Sequence, residues 1–382
     1  MKVAHVIVSG EVAGGQTVCG QIIEALKKRG DRAIVVSPTE GVFAERLRKD
    51  NIPVYLIPFR KTYHIQNAFH LARILRKEHV DIVHTHAMVQ VNVQARLGAW
   101  LAGLPVISHL HTPNHFRSHP IIRRYQILLD NWTAQLCSEI VTVSESTKEA
   151  LAAQGCVYHK AKVVYNGIDV DHLPNLKTRT SVFREFNLQP THRLIGTVGM
   201  LCPIKGQKEF IFAAKEILSQ IPETVFMVVG KDIEMGGSYE SELRDLSFKL
   251  GLDGKLIFTG YRSDALSLIN AFDVFVLPSK LEGLPITILE AMALRKAVVA
   301  AKTGGVPEVV IHDKTGILVG KEDVPRLAQS VIELLRNSEK TIRIGENGHQ
   351  QVKQFFSEEK MIEEIFDIYD QVLTRRGRRF NA

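Results

Sequence analysis

The sequence predicts an α/β protein with two parallel sheets, each covered by helices on both faces. Three observations carry this. Short apolar runs alternate with amphipathic helical stretches along the whole chain. The first run, residues 3–9, opens into a glycine-rich loop and then a helix. The alternation pauses once, at a turn and polar stretch after Asn166, and then resumes. A length of 382 residues also suggests two domains.

In the first half, VAHVIVS, RAIVVS, VYLIP, DIVHTH, PVISHLH and EIVTVS read as strands. GQTVCGQIIEALKKRG, FAERLRKD, NAFHLARILRKEH, VNVQARLGAWLAG, IIRRYQILLDNWTAQLC and ESTKEALAAQ read as helices. Gly30 suits the left-handed stop of the first helix. Gly14 and Gly15 let backbone approach a ligand at that helix start, where N–H groups favour an anion. The loop lacks the G-x-G-x-x-G fingerprint, and a plain strand–helix connection explains it as well.

Ligands of parallel sheets bind beyond the carboxyl ends of strands. That singles out His84 and His86 after one strand, and His109 and His111 after another. It also singles out Ser144, where an N-cap is the ordinary role. Each histidine pair is two residues apart and so faces one side of the sheet. His-x-His is a possible ligand pair, but no third ligand at a known spacing accompanies it, so no metal is expected. VVYNGIDVDHLPNLKTR closes the first half; Asp169 and Asp171 form a D-x-D that reads as turn chemistry.

In the second half, RLIGTVGML, TVFMVVGKD, KLIFTG, DVFVLPS, KAVVAA and TGILVG read as strands. Helices alternate with them, and SEEKMIEEIFDIYDQVLTRRGRR ends the chain as a helix. The stretch 278–308, PSKLEGLPITILEAMALRKAVVAAKTGGVPE, is the most informative. Glu282 and Glu290 have seven residues between them. Gly283, Leu284 and Pro285 follow the first glutamate, and ITILEAMAL has helical spacing. Pro285 is read as a first-turn residue, where its missing N–H needs no partner. The N–H groups of such a start seat a phosphate, and Gly283 leaves room for it. Two carboxylates would repel a phosphate unless they faced something else. Vicinal hydroxyls of a sugar or ribose suit them, because a charged acceptor strengthens both bonds. Lys205, at the start of the helix after RLIGTVGML, is placed to neutralise a diphosphate. An ordinary surface helix would also show two such glutamates; the apolar DVFVLPS before them and GGVPE after them argue against it.

Hydrophobic residues at 45% and charged residues at 23% suit a soluble globular protein with filled cores. Cys19, Cys137, Cys156 and Cys202 show no paired or metal spacing and read as reduced thiols. No signal pattern opens the chain and no apolar run is long enough to span a membrane. Residues 1–190 carry 23 Lys+Arg against 15 Asp+Glu, and the remainder 25 against 26. The basic half suggests an anionic substrate or surface. No helix-turn-helix, finger or aromatic strand motif supports nucleic acid.

LEGLPITILEAMA followed by TGGVPEVV resembles the donor-site signature of the retaining glycosyltransferases of family 4 (glycosyl transferases group 1), which have the GT-B fold. The resemblance runs over nearly the whole chain. It implies two Rossmann-like domains facing a central cleft, with a C-terminal helix crossing back to the N-terminal domain. The expected parts are an acceptor-binding domain at 1–170, a linker at 171–192, a donor-binding domain at 193–355 and the returning helix at 356–382. The implied reaction moves a hexose from a nucleoside-diphosphate sugar to an acceptor hydroxyl, with retention and with neither metal nor cofactor. A UDP-sugar is favoured and a GDP-sugar is the alternative. His111 in HLHTPN matches the family's cleft histidine near the donor sugar. It joins Lys205 and Glu282 as the expected catalytic group. Gly14, Gly15, Lys205, Arg262, Glu282, Gly283, Leu284, Pro285 and Glu290 are expected at the donor, with Glu282 on sugar hydroxyls and Glu290 on the ribose. The nucleotide base would rest on the turn 261–264. One departure stands out: Met200 occupies the family's usual arginine place, and Arg262 is expected to make up the missing cation.

Family members commonly build cell-surface glycans, lipopolysaccharide or glycolipids. That implies a glycan or lipid-linked acceptor and a cytoplasmic location, peripheral at the inner membrane face. The basic, partly aromatic segment 114–124 suits an anionic membrane surface, an anionic acceptor or plain solvent. A nucleotide-sugar-binding pseudoenzyme and a nucleotide-sugar epimerase on the same fold are the alternative readings.

Overall fold

The computed structural model describes residues 1–59, 65–113, 119–156, 158, 160–233 and 235–380. The chain divides into two compact units: residues 1–166 with 358–382, and residues 167–357.

The first unit runs β1 (Lys2–Ile7), α1 (Gly14–Lys28), β2 (Arg32–Ser37), α2 (Val42–Lys49), β3 (Val54–Leu56), α3 (Ile65–Lys77) and β4 (Ile82–His86). It continues α4 (Val89–Ala102), β5 (Val106–Leu110), α5 (Pro120–Ala134), β6 (Glu139–Thr142), α6 (Glu145–Ala153) and β7 (Lys162–Val163). Its sheet is parallel throughout, in the order β3-β2-β1-β4-β5-β6-β7. β4 and β5 are buried along their whole length, which is why they read as strands covered on both faces.

The second unit runs α7 (Arg179–Glu185), β8 (Arg193–Val198), α8 (Gln207–Gln220), β9 (Thr224–Val229), α9 (Ser238–Lys249), β10 (Leu256–Gly260), α10 (Ala265–Ala271) and β11 (Val274–Leu277). It ends with α11 (Ile286–Ala293), β12 (Ala297–Ala301), α12 (Val306–Val309), β13 (Ile317–Val319), α13 (Val324–Arg336) and α14 (Ser338–Phe355). Its parallel sheet has the order β10-β9-β8-β11-β12-β13. Ile195, Phe226, Val274, Val276 and Val299 from four strands fill the core beneath α8 and α13.

The last helix, α15 (Glu358–Phe380), belongs to the first unit and packs against α1. Met361, Ile365, Ile368 and Val372 recur at three- and four-residue spacing and are buried. Gln21 Nε2 donates to Glu358 at 2.8 Å, and the Arg29 guanidinium lies 4.4 Å over the Phe366 ring. Tyr369 reaches the sheet itself: its hydroxyl lies 2.6 Å from His84 Nδ1.

Candidate functional site

In the second unit, the loops after β8, β11 and β12 meet, because those three strands are neighbours in the sheet. A 3-10 turn at Pro203–Lys205 follows β8, and Gly206 (φ +71°) is the N-cap of α8. A Cβ at Gly206 would lie 2.1 Å from the Pro278 carbonyl oxygen, so only glycine lets this turn approach so closely. The Lys280 N–H donates to Ile204 O at 2.8 Å, and Thr303 Oγ1 donates to Lys280 O at 2.9 Å. The Gly305 N–H donates to Gly283 O at 2.7 Å. Backbone bonds thus lace three loops into one platform.

On that platform Lys205 Nζ lies 2.7 Å from Glu282 Oε1, and the Glu282 side chain is only 5% exposed. Sequence reasoning placed these two on different parts of a ligand and missed that they pair with each other. α11 starts at Ile286, and Pro285 is its N-cap. This corrects the expectation of a first-turn proline: ψ of 118° keeps Pro285 extended, so the helix begins one residue later. No side chain caps α11, which leaves its positive end available to an anion. Gly283 and Leu284 are buried in the turn before it.

Glu290 lies inside α11 and is half-buried. Its carboxylate has no hydrogen-bond or ion-pair partner among the described residues. Burial pushes its pKa up to about 7. The two glutamates therefore differ in kind: one is neutralised by a lysine, the other is held back from ionising.

Arg262 is committed elsewhere. Its Nε and Nη2 donate to Asp264 at 2.7 and 2.8 Å, and Nη2 also meets Glu185 at 2.7 Å. The Arg262 bonds, followed by those of Lys177, hold the Asp264 carboxyl far below its usual range. The reserve cation expected to replace an arginine at Met200 is already countered by two carboxylates. The Met200 carbonyl accepts from Gln207 Nε2 at 2.8 Å.

In the first unit, the predicted histidines converge at the carboxyl ends of neighbouring strands. His84 and His86 on β4 and His109 on β5 are buried, with His5 on β1 beside them. His86 Nδ1 lies 3.1 Å from His111 Nε2, and His86 Nε2 lies 3.1 Å from His5 Nδ1. The His84 and His109 rings stack at 5.4 Å and 6°. Desolvation lowers every one of these histidines, His111 to about 4 and His5 to about 3. Ligand atoms of His84, His86 and His109 lie within 4.8 Å of one another, close enough to hold a metal ion. Spacing along the chain did not reveal this trio, because its third member comes from another strand.

Gly14 is the first residue of α1, which no side chain caps. A Cβ at Gly15 would meet His111 Cδ2 at 3.1 Å. The glycine loop and the candidate histidine are therefore in contact within this unit. Ser144 is an N-cap as expected: its Oγ accepts from the Thr147 N–H at 3.0 Å. Asp169 accepts from the N–H groups of Asp171 and His172 at 3.1 and 2.9 Å, which is turn chemistry. Residues 114–118 of the basic segment lie outside the described residues.

Known protein families match the chain in both of its units. The model described as "Glycosyl transferases group 1" matches residues 178–351, and the one described as "Glycosyltransferase Family 4" matches residues 12–172. The chain belongs to glycosyltransferase family 4. This glycosyltransferase has the GT-B fold. It is 25% identical to the UDP-Gal:alpha-D-GlcNAc-diphosphoundecaprenol alpha-1,3-galactosyltransferase of Escherichia coli, over 98% of each chain. It is also 25% identical to the capsular polysaccharide biosynthesis glycosyltransferase CapM of Staphylococcus aureus, over 93% of each. Among solved structures, Anabaena HepE in complex with UDP-glucose superposes with a TM-score of 0.85 at 24% identity, over 97% of this glycosyltransferase and 100% of HepE.

Proposed function

We propose that this glycosyltransferase moves a hexose from a UDP-sugar, with a GDP-sugar as second choice, to a hydroxyl of a glycan or lipid-linked acceptor. The anomeric configuration is retained and no metal is needed at the diphosphate. The carrying observation is the platform at α11: a buried glutamate paired with Lys205, beside an uncapped helix start and a partnerless Glu290. In this reading, Lys205 and the α11 N-terminus counter the charge of the leaving diphosphate. Glu282 accepts hydroxyls of the sugar, with Gly283, Leu284 and Pro285 shaping the seat. Glu290 accepts the ribose hydroxyls, and the diol's donors make up for the carboxylate's lost water. His111, with Gly14 and Gly15 beside it, is assigned to the transferred sugar or the acceptor. Arg262 is assigned to holding the turn at the nucleotide base rather than to the diphosphate.

The acceptor oxygen bonds to the anomeric carbon on the face the diphosphate leaves. Its proton passes to the departing phosphate oxygen. This follows from the family resemblance, and no side chain is asked to form a covalent intermediate. The UDP preference is supported by the nucleotides in the names of the E. coli relative and the HepE complex. The same relative, with CapM, supports a role in surface-glycan assembly. A cytoplasmic site at the inner membrane face fits a lipid-linked acceptor. Among the described residues no helix is long and apolar enough to cross a membrane.

The test is a melt of the purified chain with UDP-, GDP- and ADP-sugars, followed by nucleotide release with a lipid-linked acceptor. Specific binding raises the midpoint by mass action. No shift and no turnover with any donor ends the proposal. A second reading, a donor-binding protein without turnover, is favoured by Met200 and the pre-paired Arg262. Tight UDP-sugar binding with no transfer across a broad acceptor panel would select it.

A further inference from the structure

α5 is turned inside out. Its inward face is polar: Gln126, Asp130 and Thr133 are all buried. Asp130 accepts from Arg96 Nη1 at 2.8 Å and from the Tyr158 hydroxyl at 2.6 Å, and all three side chains are shut off from solvent. Its outward face is apolar: Ile121 is 75% exposed, Tyr125 46%, Leu128 61% and Trp132 56%. A surface helix of a soluble protein normally shows the opposite arrangement. At about 100° per residue these four fall within an arc of about 60°, in a line about 17 Å long. Arg124 borders the line and Arg123 lies in the first turn; both are exposed.

We propose that this outward face of α5 is a membrane-docking surface that lies in the headgroup region of an anionic bilayer. The chemistry of the stripe selects this occupant. Tyr and Trp rings with one polar edge settle at a membrane–water boundary, and aliphatic side chains between them reach the first acyl carbons. The arginines add attraction to anionic lipid, and residues 1–190 as a whole are basic. A protein partner fits poorly, because one narrow line of side chains buries far less than the roughly 1,200 Å² of a stable protein pair. The buried Arg96–Asp130 pair fixes the orientation: rotating α5 to hide its apolar side would strand a charge in the core. The inference deepens the lipid-linked acceptor proposed above, since docking would bring the enzyme to its substrate, but it can be tested separately.

The test uses the full chain and vesicles of phosphatidylglycerol with phosphatidylethanolamine, against vesicles of phosphatidylcholine. With Trp100→Phe, Trp132 is the single reporting tryptophan. Its emission should shift to the blue and be quenched by brominated lipid with the anionic vesicles. The unaltered chain should sediment with them, less so at high salt. Leu128→Ser with Trp132→Ser should cut the partition coefficient by about tenfold or more. These are exposed positions, so folding should survive, and an unchanged melting curve checks it. Equal sedimentation of variant and parent, or no binding to anionic vesicles, overturns the proposal. So does a dimer in the ultracentrifuge that the double variant dissolves while vesicles bind neither form. A UDP-induced rise in melting temperature should be the same in parent and variant. Its absence from both would sink the donor reading and leave docking standing.

Discussion

The carbonyl oxygen of Glu282 occupies the space where a side chain at Gly304 would begin: a Cβ there would lie 1.8 Å away. Gly304 also has φ of +49°, which a residue with a side chain rarely adopts. The loop after β12 is thus built to press on the residue that carries the buried carboxylate. Gly304→Ala must push that backbone aside and move Glu282 with it. We expect UDP-sugar affinity to fall by about tenfold or more, with a loss of about 1–3 kcal/mol of stability. Calorimetric titration and a denaturant melt measure the two. Unchanged affinity would show that the donor does not depend on this contact.

Lys205 and Glu282 respond to substitution asymmetrically. Lys205→Met leaves a buried carboxylate without its counter-charge, at a cost of about 1–3 kcal/mol after allowing for the partly exposed lysine. Glu282→Gln leaves a partly exposed lysine that water can still solvate, so the loss should be smaller. Turnover should fall in both, because each would lose a contact to the donor. Their double variant should lose less stability than the two singles added together. Additive losses in a double-mutant cycle would mean that the pair is not coupled.

The architecture was legible because it is local. Alternating runs, strand-end residues and glycine turns are properties of neighbouring residues, and β4, β5, α11 and the closing helix all follow from them. What was not legible depends on strand neighbours distant in sequence. Lys205 meets Glu282 because β8 and β11 lie side by side. His5 joins the other histidines because β1 pairs with β4, in the register His5 to His84. The inverted face of α5 was also hidden, since its amphipathic spacing reads the same whichever side is buried. Arg96 and Asp130, on two different helices, decide which side it is.

Glu290 should couple donor binding to pH. Its folded pKa of about 7 lies above the unfolded value near 4.5. Between those values the native state binds more protons, so this group lowers stability as pH rises from about 4.5 to 7. Glu290→Gln should therefore be more stable than the parent at pH 8, by on the order of 1–3 kcal/mol, yet bind UDP less tightly. Ribose hydroxyls donating to the carboxylate favour its ionised form. UDP affinity should then increase as pH rises through about 7, and binding near that pH should release protons. Titration calorimetry in buffers of differing ionisation heat reads the release directly. An affinity independent of pH, or a variant that binds UDP as tightly as the parent, would remove Glu290 from the ribose site.

The histidine stack of the first unit should respond in the opposite sense. His5, His84, His86, His109 and His111 are all depressed by burial below the unfolded value of 6.5, with His111 near 4. Between those values the unfolded state binds more protons. Stability is complete above about pH 6.5 and is lost as pH falls towards 4. Each proton the unfolded chain gains on these histidines favours unfolding, so the stack weakens the first unit progressively as pH falls. Among the described residues no carboxylate is hydrogen-bonded to the stack; beyond its own ring-to-ring contacts, its polar neighbours include the Tyr369 hydroxyl and Cys19. The first unit should unfold between about pH 6 and 4 with uptake of several protons, and followed by circular dichroism its midpoint should lie above that of the second unit. Tyr369→Phe strips His84 Nδ1 of its partner at 2.6 Å and should cost about 1–3 kcal/mol, moving the acid midpoint upward. A midpoint that stays put in Tyr369→Phe would mean that the His84 contact does not govern acid unfolding.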